Sequence, residues 1–463
     1  MMRMARMKLR TSLLITATFA VGIGVGMVAP AVHDALAGVR QSDETYRQLG
    51  LFENIFQRIR ADYVVPEPSK KLIYDAMNGM LTGLDPHSAY MNAQQYKDMK
   101  AETSGQFGGL GIEVTEAGGF IKVITPIDGT PAAKAGIKPG DLIVAIDGKP
   151  MVGVTLDKAV DRMRGPAGSK IDITIKRPGV DKPVHVTLTR AIIHVHAVKT
   201  ALYGDVGYLR LASFSENANR DIRRGVAKLK AESHGKVDAY ILDLRNNPGG
   251  LLDQGIAVAD DFLNTGEIVS THGRHQSDDQ VWYAHDGDIT GGKPIVVLVN
   301  SGTASAAEIV SAALQQNRRA VVMGTRTFGK GSVQTIFTIP GHGALRMTTA
   351  LYYTPSGKSL QDYGVEPDLV VHETNNPKDH FPKIRESNMP HAFRNPSGLK
   401  APILPPKLVL PAVAKTIAPR PPASWPKFEP KHPNTDYQLQ MALKLVRAMA
   451  TNRVGASQAD VAH

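Results

Sequence analysis

Between Val195 and His372 short apolar runs of strand length alternate with helical stretches, and this alternation restricts the fold more than any other feature of the chain. Gly207 to Leu211, Ala239 to Leu244, Ile295 to Val299 and Ala320 to Met323 read as strands, several of them rich in β-branched residues. Glu216 to Lys230, Leu251 to Phe262 and Ala304 to Gln316 carry apolar residues at helical spacing. Strand and helix in strict turn predict a layered α/β domain.

The strand-to-helix junctions are where this region offers chemistry. Asn300-Ser301-Gly302-Thr303 breaks the strand ending at Val299, so Ser305 stands at a helix start with Glu308 just after it. Backbone N–H groups are free there and the helix dipole favours negative charge. Arg245-Asn246-Asn247-Pro248-Gly249-Gly250 follows another strand. Its two glycines suit either a tight connection or an oxyanion hole built from backbone N–H groups. Further on, Lys330, Ser332 and Gln334 alternate at the head of the run Ser332 to Ile339. In a strand all three would share one face, while a lysine between two glycines also suits an exposed turn. The chain has no cysteine, which removes disulfides, thiolate nucleophiles and cysteine metal sites, and leaves Ser, Thr, Lys and carboxylates for catalysis.

At 463 residues the chain is long enough for several domains. Residues 1–37 have the form of an export segment: Arg3, Arg6, Lys8 and Arg10, an uncharged stretch from Thr11 to Val32, then Ala35-Leu36-Ala37. The stretch also has the length of a membrane span, so a cleaved signal peptide and a retained inner-membrane anchor both fit, with the bulk of the chain expected in the periplasm. Residues 38–103 read as a helical arm, either a packed cap or a surface for self-association.

Residues 104–193 change texture. FGGLGIEV, FIKVITPI, DLIVAIDG and KIDITIKR are strand-like, while PAAKAGI and LDKAVDRMRG are helical. This order, with Gly108-Gly109-Leu110-Gly111-Ile112 and AGIKPGDLIVAIDGKPM, resembles a PDZ domain. The resemblance implies that Gly109, Leu110, Gly111 and Ile112 hold the C-terminal carboxylate of a peptide laid along a sheet edge, with Leu110 and Ile112 lining the pocket for its last side chain. Arg164 is either a charge partner for ligand or neighbouring domain, or a solvated arginine.

The helical arm, PDZ segment, RNNPGG loop, NSGTASAAEI and FGKGSVQ, in that order, resemble the C-terminal processing peptidases, or tail-specific proteases, of the Ser-Lys type. The match spans most of the chain beyond residue 37. It implies a multidomain α/β fold, in which a PDZ β-barrel-like domain joins a crotonase-like layered protease core at residues 194–373. It also implies Ser305 as nucleophile, Lys330 as its base and Gln334 as the residue supporting that base. Ala306 and either Gly249 or Gly250 would supply the oxyanion N–H groups. The expected substrates are proteins or peptides with free C-termini, and homo-oligomers or an adaptor protein are further expected partners. On this reading Lys330 lies mostly out of water when substrate is bound, its stem against apolar residues such as Phe328 and its amine within hydrogen-bond reach of Ser305.

Other readings compete. An inactive PDZ-bearing scaffold would keep peptide binding alone, and an acyl-CoA enzyme of crotonase type would share the layered core. A Ser-His-Asp triad lacks a GxSxG elbow to receive His194, His196 or His342. Net charge is +11, but the 54 basic residues are scattered and carry no nucleic-acid motif, so solubility or an anionic membrane explains them better. No metal cluster, phosphate loop or dinucleotide fingerprint is found, and no cofactor is expected. Residues 374–435 are proline-rich and read as an extended connection or a partly disordered strap, and residues 436–463 as a helix and tail. In that helix Leu439, Ala442, Leu443, Leu445 and Val446 form an apolar side suited to docking or to an oligomer interface.

Overall fold

The computed structural model describes residues 44–459 apart from 118, 128, 195–196, 376–384, 399–404, 407 and 430–431. The proposed export segment therefore lies outside the described residues. Among those described, no helix is long and apolar enough to cross a membrane. The chain divides into two compact units, Met1–Met80 and Leu81–His463. In the first, a helix over residues 44–62 exposes Leu49, Phe52, Ile55 and Ile59 at helical spacing.

The second unit is built on a six-stranded sheet ordered Val198–Tyr203, Val206–Leu211, Ala239–Asp243, Ile295–Val299, Val321–Gly324 and Leu369–Val370. Every pairing after the first is parallel. Ile295, Val297 and Val299 enter one apolar cluster while Val296 and Leu298 enter another, which is why this strand is an unbroken apolar run. The first cluster includes Ala218–Glu232, Leu252–Asp260 and Ala306–Gln316; the second includes the C-terminal helix Tyr437–Ala459. All five apolar residues expected on that last helix are buried, so this chain's own sheet already occupies the side offered for an oligomer interface.

Of the two readings of the proline-rich stretch, the packing matches the strap. Leu408, Leu410, Ala414, Ile417 and Trp425 pack into the second cluster, and the Trp425 indole donates to the Thr435 carbonyl at 3.0 Å. These apolar residues between the prolines make the stretch a strap over the sheet rather than a free linker.

A second sheet was not expected. Gly343–Tyr353 pairs with Ala89–Met91, Glu267–Gly273 and Ser332–Ile339, and so puts the end of the N-terminal arm in the same sheet as the strand that follows Lys330, across Gly343–Tyr353 from it. The PDZ segment forms its own sheet from Ile112–Ala117, Phe120–Pro126, Leu142–Ile146, Lys170–Lys176 and Val184–Thr189. Helices Pro131–Lys134 and Leu156–Met163 contribute Ala132, Ala159 and Met163 to its core.

Candidate active site

Parallel strands Ala239–Asp243 and Ile295–Val299 are hydrogen-bonded neighbours, so the loops leaving their C-terminal ends emerge side by side, where open α/β sheets place their ligands. Side chains lace the two loops together. Asn300 Nδ2 donates to Asn246 Oδ1 at 3.0 Å, Thr303 Oγ1 donates to the Leu244 carbonyl at 2.8 Å, and the Ala304 N–H donates to the Asn247 carbonyl at 2.9 Å.

Ser305 caps the helix Ala306–Gln316 with φ 55° and ψ −121°. That backbone is sparsely populated for a residue with a Cβ and costs about 1–3 kcal/mol. A buried carboxylate holds it there. Glu308 Oε2 accepts the N–H groups of Ser305 and Lys330, each at 2.9 Å, while Oε1 accepts the Gly329 N–H at 2.8 Å and the Thr327 hydroxyl. Glu308 thus ties the serine turn to the lysine loop. Burial pushes its carboxyl up to about 7, against four donors that pull it down. Replacing Glu308 with Gln sets an NH2 group against donors. The expected loss is about 1–3 kcal/mol per donor left unpaired, measured by denaturant unfolding, with a parallel loss of peptide cleavage.

Gly249 closes on this turn, and a Cβ built on it would lie 2.7 Å from the Ser305 Cβ and 2.9 Å from the Ala306 nitrogen, so only glycine fits. Its N–H, however, donates to Asn247 Oδ1 at 2.9 Å. Among the described residues neither the Gly250 N–H nor the Ala306 N–H makes a hydrogen bond.

Lys330 precedes the strand rather than lying in it, and a bulge between Val333 and Gln334 breaks the strand's alternation. The three polar residues still meet: Lys330 Nζ donates to Gln334 Oε1 at 2.7 Å, and Gln334 Nε2 donates to Ser332 Oγ at 2.9 Å. Burial holds the Lys330 amine below the ordinary lysine range; Glu386 opposes this, and Arg346 acts with it. No hydrogen bond joins the amine to Ser305; Gln334 accepts one of its N–H groups, and Phe328 is not among the residues that line the cavity the two share.

That cavity, about 710 Å³, is lined by Ser305, Ala306, Gly249, Gly250, Lys330 and Gln334 together with apolar Leu252, Ile309, Val333 and Ile336. Among the described residues no histidine lines it, which counts against a Ser-His-Asp triad. Tyr352 is also present, its buried hydroxyl beside Ser305 yet outside hydrogen-bond geometry. The PDZ segment contributes Phe107 and Arg164, whose guanidinium lies 5.1 Å from the Phe107 ring centroid and 3.9 Å from Asp98.

None of Gly109, Leu110, Gly111 and Ile112 lines this cavity. Leu110 is buried in the PDZ core, while Ile112 is half-buried against that core. Gly111 has φ 74°, and a Cβ there would lie 2.4 Å from Thr130. Among the described residues the Leu110 and Gly111 N–H groups make no hydrogen bond, as a carboxylate nest requires.

In the sequence Glu308 is an acidic residue near a helix start, and the Ser-x-x-Glu spacing of a capping box is the signal for it. Arg245 is visible there only as the first residue of a glycine loop, and no local pattern marks Arg346 or Tyr352.

Comparison with known proteins agrees with this architecture. Residues 205–371 match the model of peptidase family S41 and residues 122–177 that of the PDZ domain. The carboxy-terminal-processing protease of Bartonella bacilliformis is 56% identical over 330 residues, 71% of this chain and 76% of that protein. The carboxyl-terminal-processing protease of Synechocystis sp. is 37% identical over 324 residues, 68% and 75% of the two chains. Among solved structures, the photosystem II D1 C-terminal processing protease is 30% identical with a TM-score of 0.40, covering 69% of this chain and 91% of that one. With a PDZ domain set before a mixed α/β core, the chain belongs to the carboxy-terminal-processing serine proteases of peptidase family S41.

Proposed function

We propose that the protein is an exported endopeptidase that hydrolyses peptide bonds with a Ser305–Lys330 dyad, on substrates recognised by their C-terminal tails. The observation that carries this reading is the buried Lys330 amine, held by Gln334 in the cavity that also contains Ser305. A neutral lysine can serve as general base to a serine hydroxyl. An ordinary lysine, with a pKa of about 10.4, is protonated near neutral pH, and removal from water favours the neutral form.

In the reaction, Ser305 Oγ forms a bond to the scissile carbonyl carbon as its proton passes to Lys330 Nζ. The resulting oxyanion accepts the Ala306 N–H and, of the two glycines, the uncommitted Gly250 N–H. Collapse breaks the C–N bond and Lys330 returns the proton to the leaving amine. Water, deprotonated by the same amine, then releases the acyl group and restores the hydroxyl. Gln334 would hold the amine until the substrate displaces water and the amine turns to Ser305. Hydrogen bonds at catalytic groups commonly tighten only once substrate is bound.

Tail recognition rests on the free Leu110 and Gly111 N–H groups. PDZ residues Phe107 and Arg164 in the wall of the Ser305 cavity give tail binding a route to the chemistry. The test compares one apolar-tailed peptide with a free and with an amidated C-terminus. The free form should be cut markedly faster. Equal rates would overturn tail recognition, and no hydrolysis of either would favour the inactive scaffold.

The location follows from the export-like residues 1–37, with the periplasm as the compartment. Self-association would use the exposed apolar side of the helix over residues 44–62.

A further inference from the structure

Near the Lys330 amine lies a buried polar cluster that neither the dyad nor the oxyanion donors use. His87 Nε2 lies 2.9 Å from each carboxylate oxygen of Glu386, whose side chain is fully buried. A carboxylate only accepts, so the ring supplies the proton of this bond. Glu386 Oε1 also accepts Gln361 Nε2 at 3.2 Å, and Gln361 Oε1 accepts the N–H of Gly331, the residue after the base, at 2.8 Å. On the other side the His87 turn is fixed by Asp85, which accepts the His87 and Ser88 N–H groups at 2.8 and 2.9 Å. The His87 carbonyl accepts Arg346 Nε at 2.9 Å.

We infer that Glu386, paired with His87, is a positioning residue for Lys330: through Gln361 it holds the loop of the base, and its charge sets the pH at which that amine becomes free to act. The inference rests on the Ser305–Lys330 reading. A negative charge in a poorly solvated interior stabilises an ammonium group, and each N–H aimed at the carboxylate withdraws part of that field.

The other charges that face the amine are Glu308 from its helix, Asp85 from the turn before Ala89–Met91 and Arg346 from Gly343–Tyr353; Glu386 acts on it more strongly than any of them. Glu386 in turn is faced by His87 and by Asp362. Glu308 and Asp85 are committed to backbone and hydroxyl donors. Glu386 is held instead by the His87 ring and the Gln361 amide, and through Gln361 it reaches the loop of the base.

The experiment measures kcat/KM against pH for the full chain, Glu386→Gln, His87→Leu and Lys330→Ala, with thermal melts showing that each is folded. Activity should rise with pH as the base loses its proton. Glu386→Gln keeps the shape and removes the charge, so the acid limb should move to lower pH by roughly one unit. His87→Leu removes the N–H aimed at the carboxylate, so the limb should move to higher pH. A support role alone would lower both rates and leave the limb in place, and that result overturns the inference while leaving the dyad intact. Should Glu386→Gln not fold, the direction of the His87→Leu shift decides. If Lys330→Ala keeps full activity, the dyad itself fails, an outcome distinct from a limb that stays in place.

Discussion

Lys330→Ala will reduce peptide cleavage by roughly 10⁴-fold or more, and Ser305→Ala by at least as much, while both proteins keep their melting behaviour. The magnitude follows from what each group does. On the proposed mechanism loss of the amine removes the base: among the described residues no histidine lines the cavity, Glu308 is saturated by four donors, and the carboxylate in the lining is Glu102. Loss of the hydroxyl removes the atom proposed to carry the acyl group. If the two act as a unit, the double variant should be no worse than the poorer single one, and the residual rate should reflect oxyanion donors and binding alone. Additive losses would mean that the residues act independently. The loss in Lys330→Ala should also outweigh that in Gln334→Ala, since Gln334 acts only through the amine.

Arg245→Ala will destabilise the folded chain by about 3–5 kcal/mol, the cost of breaking a buried ion pair, with Asp243 left to Arg210 at 3.6 Å and the Tyr208 hydroxyl at 2.7 Å. Asp243 is fully buried, and Arg245 meets it through Nη2 at 2.6 Å while reaching Asp436 at 2.8 Å and Gln438 at 3.0 Å. Burial alone would raise the Asp243 carboxyl; the guanidinium beside it outweighs burial and leaves the group below the usual range. The sign of the linkage is therefore that of a depressed carboxylate: the stabilisation is complete above the unfolded value of about 3.9 and is lost as pH falls through the folded one. The same arginine begins the loop that ends at Gly249 and Gly250, and Asp436 immediately precedes the C-terminal helix. Activity should fall with stability, and a urea titration of Arg245→Ala beside Asp436→Asn will show whether the helix anchor and the loop anchor are one network. A change below about 0.5 kcal/mol in Arg245→Ala would contradict this account.

Much of this was legible in the sequence because it is local. The strand Ser332–Ile339 lies where alternation and turn residues put it, and the helix after Ser305 where its cap puts it. Glycine loops and the apolar side of the last helix were likewise readable from patterns a few residues long. What escaped is long-range. The pairing of Ala89–Met91 with Gly343–Tyr353 joins segments some 250 residues apart, and no periodicity in either stretch announces the other. Glu386 meets His87 only through that fold, and Arg245 meets Asp436 in the same way. The choice between Gly249 and Gly250 turns on one side-chain hydrogen bond from Asn247, which spacing does not encode. The Lys330 contact with Gln334 instead of Ser305 is likewise a rotamer, set by the cavity rather than by sequence.

The most direct test of the Ser305–Lys330 claim is covalent. An aryl fluorophosphonate that reacts with activated serine hydroxyls, added to the full chain near neutral pH and mapped by peptide mass spectrometry, should leave a single adduct on Ser305. Under the same conditions Lys330→Ala should remain unlabelled. An adduct on another residue, or labelling of Ser305 at the same rate without Lys330, would contradict it.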